Sequence, residues 1–157
     1  MEDPLLLPQQ LAEGFFKGIV SRIKALGPGR FIADPQRSLL VRSGGVPSKI
    51  IFALRYVFDD DQMMIRIYAT FSKDGSRFKR IHYAHHCGPE PLDSEVTHFR
   101  IDFDRFHEYH VHLRGFEDDH FDVSLIEPNV RDNDPFHFLD LVERFRRTGV
   151  IPLTRKL

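Results

Sequence analysis

At 157 residues, with 41% hydrophobic side chains and a formal net charge of −1, the chain can bury a core and carries no overall basic field to draw a polyanion. The lone Cys87 excludes an internal disulfide and fits a reducing compartment. No apolar run approaches the ~20 residues of a membrane helix, and the acidic start Met1-Glu2-Asp3-Pro4 is unlike a secretory leader, so a single cytoplasmic domain (1–157) without a membrane partner is expected.

Between Pro8 and Gly27, Leu11, Phe15, Ile19, Ile23 and Leu26 recur at three- and four-residue steps, which predicts a helix stopped by Gly27-Pro28-Gly29. Its Lys17, Arg22 and Lys24 suit a solvated face. Ser38 to Arg42 is a short apolar stretch that fits an edge strand. From Lys49 the period becomes two, with Ile50, Phe52, Leu54, Tyr56 and Phe58 on one side. Asp59-Asp60-Asp61-Gln62 makes the turn, and pairing Tyr56 with Ile65, Leu54 with Ile67 and Phe52 with Ala69 keeps one face apolar.

A three-residue loop, Lys73-Asp74-Gly75, would set Ile67 against Ile81 and Ile65 against Tyr83. Two-residue turns are the alternative, and an Asp-Gly turn would push Arg80 and His82 into the core. In Val96 to Asp104, Phe99, Ile101 and Phe103 alternate with His98, Arg100, Asp102 and Asp104. A connection at Arg105-Phe106-His107 pairs Phe103 with Tyr109, Ile101 with Val111 and Phe99 with Leu113, and forces Asp102 opposite His110, Arg100 opposite His112 and His98 opposite Arg114. The acidic stretch Glu117 to Asp134 reads as irregular, and Asp134-Pro135 opens a final helix through Phe138, Leu141, Val142 and Phe145 to Gly149. The expected fold is α+β: an antiparallel meander of about five strands with the N-terminal and C-terminal helices packed on one face.

The other face would carry Arg55, Arg66, Tyr68, Arg80, His82, His86, His98, Arg100, Asp102, His110, His112 and Arg114. An ordinary solvated face is rich in Lys, Glu, Thr and Ser, whereas His and Arg move protons and bind planar anions. One expectation is therefore an RNA-directed protein, a metal-independent ribonuclease without a cofactor. His110, oriented by Asp102, would be the base and His98 or His82 the acid; Arg80, Arg100 and Arg114 would clamp the phosphate, with Tyr68 and His112 completing the substrate site. A second expectation is a metal-binding protein built on His110-Val111-His112, whose His-x-His-x4-Glu spacing to Glu117 resembles the first cupin motif. Asp104 and Ser124 stand where cupins carry Gly, and no third strand ligand is evident, so no metal is expected; His120 and His137 read as surface residues. A third is a noncatalytic module that binds a protein partner.

The segment Ile81-His82-Tyr83-Ala84-His85-His86, followed by Glu90 and His98, resembles TumE-type toxins of bacterial toxin–antitoxin pairs, with Tyr83-Ala84-His85 at the place of that family's Tyr-Asp-Asn. The resemblance implies a small bacterial accessory-gene protein with an antitoxin as partner.

Overall fold

A computed structural model describes residues 6–32, 38–43, 46–75, 77–89, 98–104, 108–126 and 135–157. Within them, β1 (Leu6–Pro8), α1 (Gln9–Leu26), β2 (Gly29–Phe31), β3 (Ser38–Ser43), β4 (Val46–Phe58), β5 (Met63–Asp74), β6 (Arg77–Pro89), β7 (Phe99–Asp104), β8 (Glu108–Leu113), β9 (Phe116–Asp122) and α2 (Pro135–Thr148) follow in order. The α+β class and the antiparallel meander are as expected, but the sheet is larger than five strands. All nine strands join one sheet in the order β2-β4-β5-β6-β7-β8-β9, with β1 on β6 and β3 on β4. No described helix is long and apolar enough to cross a membrane.

Alternation decides which face each residue serves. Leu54, Tyr56 and Phe58 of β4, Ile65, Ile67, Ala69 and Phe71 of β5, Phe99 and Ile101 of β7, and Val111 and Leu113 of β8 are all buried in one cluster. Ile19, Val20 and Ile23 of α1, and Phe138, Leu139, Leu141 and Val142 of α2, fill its other side. Both helices therefore cover the same face. Phe138 sits on Phe99, ring centroids 5.7 Å apart, and on the fully buried His85, 5.3 Å away. Arg146 of α2 stacks on Phe58 at 3.5 Å and reaches Asp60 (2.6 Å) and the Leu26 carbonyl (3.2 Å), which ties the β4–β5 turn to both helices. Gly29 is required where β2 meets β4, because a Cβ there would stand 2.3 Å from the Val57 carbonyl oxygen.

The β4–β5 and β7–β8 registers are those expected, including Asp102 opposite His110 and Arg100 opposite His112. Between β5 and β6 the ladder runs four residues further along, with Ile67 against His85 and Ile65 against Cys87. The turn is tighter than three residues: Asp74 pairs with Arg77, and Gly75 takes φ +64. Such a turn alone would have reversed the faces of β6, as the parity of a strand demands. A bulge corrects it, since Phe71 pairs with Arg80 but Thr70 pairs with His82, leaving Ile81 as the extra residue. Half of the stretch expected to be irregular is also regular. Phe116–Asp122 adds β9 to the sheet, and Asp122 ends it by accepting the Ser124 N–H at 2.8 Å as cap of a single 3₁₀ turn, Val123–Leu125.

Candidate metal centre

The described helix residues pack on the apolar face, so the opposite face meets neither helix. Yet Asp102, His86, His110 and His112 are only 6–9% exposed there. Their convergence follows from the ladders. Asp102 on β7 and His110 on β8 are cross-strand partners, His112 stands two residues along β8, and a register shift between Val111 and Leu113 swings β9 so that His120 joins them. The three rings form a triangle with centroids 5.0 Å (His110–His112), 5.1 Å (His110–His120) and 4.7 Å (His112–His120) apart. One ring nitrogen from each lies within 4.8 Å of the others, with His110 and His112 buried and His120 exposed.

The Asp102 carboxylate completes the group. Its Oδ2 is 3.7 Å from His110 Nε2, 3.6 Å from His112 Nε2 and 2.7 Å from Arg100 Nε. A tetrahedral ion with nitrogen ligands at ~2.1 Å needs donors about 3.4 Å apart, so side-chain rotation that closes the triangle by roughly an ångström creates a coordination site. An ion held by three imidazoles would keep a position for water or substrate, and His120 is the exposed member of the triangle. His120 of β9 is a third strand histidine beside His110 and His112, where the sequence pattern shows none. The available signal was Arg114-Gly115, a two-residue turn with Gly115 at φ +86 that folds β9 back along β8.

Other expected residues divide. Arg100 and His86 flank the centre, Arg100 opposite His112 and His86 opposite Arg100. Burial, reinforced by the charges of Arg100 and Arg66, pushes the His86 imidazole down to about 3, so it is neutral at physiological pH. Tyr68 lies further along the same face, accepting the Thr70 hydroxyl at 3.0 Å and facing the Arg66 guanidinium at 5.7 Å. His98 does not join them. It precedes β7, and its ring turns to the helix side, 4.7 Å from Phe145 of α2, where burial and then the Arg114 charge lower its pKa. Arg114 is exposed at the β8–β9 turn, its N–H donating to the His98 carbonyl at 3.1 Å, so that pair forms as backbone but sits apart from the centre. Arg80 pairs with Phe71 ahead of the bulge instead of with a polar-face residue, whereas His82 pairs with Thr70. The side chains of Arg80, His82 and Glu117 lie outside those described.

No family model, curated protein or solved structure matches this chain.

Proposed function

We propose that this protein is a metalloprotein whose His110, His112 and His120 hold one divalent first-row transition ion in a centre of the open, catalytic type. The observation that carries the proposal is the placement of three imidazole donors within 4.8 Å of one another by two neighbouring strands, one donor facing solvent. Borderline nitrogen donors suit zinc, iron or manganese, and a bound ion lowers the pKa of its water toward neutrality. Asp102 is placed either to complete the ligand set or to take a proton from that water, and Arg100 at 2.7 Å holds the carboxylate in position.

The experiment is elemental analysis of purified protein together with cobalt(II) titration followed by visible absorption. About one ion per chain is expected, with the cobalt spectrum lost in His112→Ala and His120→Ala. Well-folded wild-type protein that binds no cobalt overturns the proposal. One observation favours a second assignment, the metal-independent ribonuclease: Asp102 contacts both His110 and His112, as an orienting carboxylate would a general base. One of its two expected acids, His98, packs toward the helix side against Phe145, so that role falls to the other, His82. Cleavage of single-stranded RNA in EDTA, lost in His110→Ala and kept in His120→Ala, would favour this assignment over the metal.

A further inference from the structure

Beside the proposed metal centre runs a row of arginine and histidine side chains. Cross-strand pairing aligns Arg55 on β4, Arg66 on β5, His86 on β6, Arg100 on β7 and His112 on β8, one residue per strand. Arg55 directly opposite Arg66 is a like-charge pair, which costs stability in a sheet unless something negative lies between the two. His86 is neutral and brings no compensation. Asp102 is engaged by Arg100, and among the described residues no carboxylate forms an ion pair with Arg55 or Arg66. Among the described residues the Arg55 and Arg66 guanidinium groups therefore lack a direct ion-pair partner, with the Asp102 charge acting on Arg66 only at longer range. Arg66 is half-buried, its guanidinium 5.7 Å from the centre of the Tyr68 ring. A depression of about 270 Å³ opens here, lined by Ala53, Leu54, Arg55, Arg66 and Tyr68.

We infer that this row binds the dianionic group of a small-molecule substrate, a phosphate monoester or a dicarboxylate, and presents the rest of the molecule to the metal centre. Guanidinium forks match both oxyanions bidentately, and two neighbouring cations match two negative charges. Spacing supports the link to chemistry. With strands ~4.8 Å apart, Arg66 lies about 14 Å along the row from His112 at backbone level, and the long arginine side chains shorten the gap. A molecule about 10 Å long, anionic at one end, spans it. That the far end reacts at a metal rests on the function proposed above; the anion site itself does not.

The test separates the two. Melting temperature and calorimetric titration are measured on EDTA-treated wild type, Arg55→Gln, Arg66→Gln and His120→Ala, with inorganic phosphate, malonate and, as monoanion control, acetate. Phosphate, malonate or both should stabilise wild type and His120→Ala alike, acetate should not, and whichever dianion binds names the substrate class. Arg66→Gln should weaken that binding about tenfold or more, the worth of a charge-assisted hydrogen bond. Without ligand, both arginine variants should melt no lower than wild type, because a repulsion has been relieved. Absence of stabilisation by either dianion, or binding unchanged in Arg66→Gln, overturns the anion site. Dianion binding by a chain that takes up no cobalt leaves the anion site standing and removes only the metal.

Discussion

The two faces of the sheet are made by the same alternation and put it to opposite uses. On the helix side, residues such as Ile65, Ile67, Phe99 and Ile101 meet Phe138 and Leu141, and removal from water stabilises them without regard to partner geometry. On the other side, Arg66, His86, Arg100, Asp102, His110 and His112 occupy the intervening positions, and their burial costs free energy unless each polar group is matched. Even the histidines differ. His85 lies in the core against Phe138, whereas its neighbour His86 faces the cationic row. A core face tolerates exchange of one apolar residue for another of like volume; a face of individually matched polar groups does not.

The largest effect belongs to the apolar face. Phe138→Ala should destabilise by about 3–5 kcal/mol in urea titration, since it empties the contact between α2, Phe99 and His85. If the faces are energetically separate, the surviving folded fraction still binds cobalt with wild-type affinity; weakened binding would show that α2 positions the centre through the sheet.

Next comes acid sensitivity of the polar face. The His86 pKa is about 3 in the folded chain against an ordinary 6.5, so between those values the unfolded chain takes up a proton that the folded one does not. Stability therefore falls as pH drops below about 6.5, by roughly 2 kcal/mol at pH 5 for this group alone. Comparing urea midpoints of EDTA-treated wild type and His86→Gln at pH 7 and pH 5 isolates it. Equal pH dependence in the two would mean that His86 is not held neutral by its surroundings.

Smaller is the loss expected for Asp102→Asn, a ten- to hundredfold weaker hold on cobalt, as for partners that orient or complete a ligand set. Smallest is Arg22→Ala at the α1–α2 contact. Its ion pairs to Asp140 (2.8 Å) and Glu143 (2.5 Å) involve carboxylates more than half exposed, so no more than about 1 kcal/mol should be lost.

How far sequence reasoning reached depends on where the ladder is regular. The β7–β8 ladder runs without a bulge from Phe99–Leu113 to Asp104–Glu108, so apolar matching alone places Asp102 against His110 and Arg100 against His112. The β5–β6 hairpin was misplaced by four residues because apolar matching is blind to even shifts, which exchange partners without exchanging faces. His120 is exposed, as expected, but its place beside His110 and His112 is hidden in the sequence for a related reason. In Phe116-Glu117-Asp118-Asp119-His120-Phe121-Asp122 no apolar alternation marks a strand, since β9 lies at the end of the sheet and most of its described residues are exposed, and the register shift opposite β8 hides which residue faces His112.

The bulge in β6 also governs how this gene can change length. Deleting Ile81 would regularise the ladder and leave every later residue of the strand with its present partner, from Thr70–His82 to Ile65–Cys87. Deleting Ala84 or His85 would send the residues beyond it to the opposite face, placing the His86 imidazole in the core and the Cys87 thiol among the arginines. Length variation inside this strand should thus be confined to the turn side of the bulge, from Arg77 to Ile81, and in a deletion library surviving variants should cluster there.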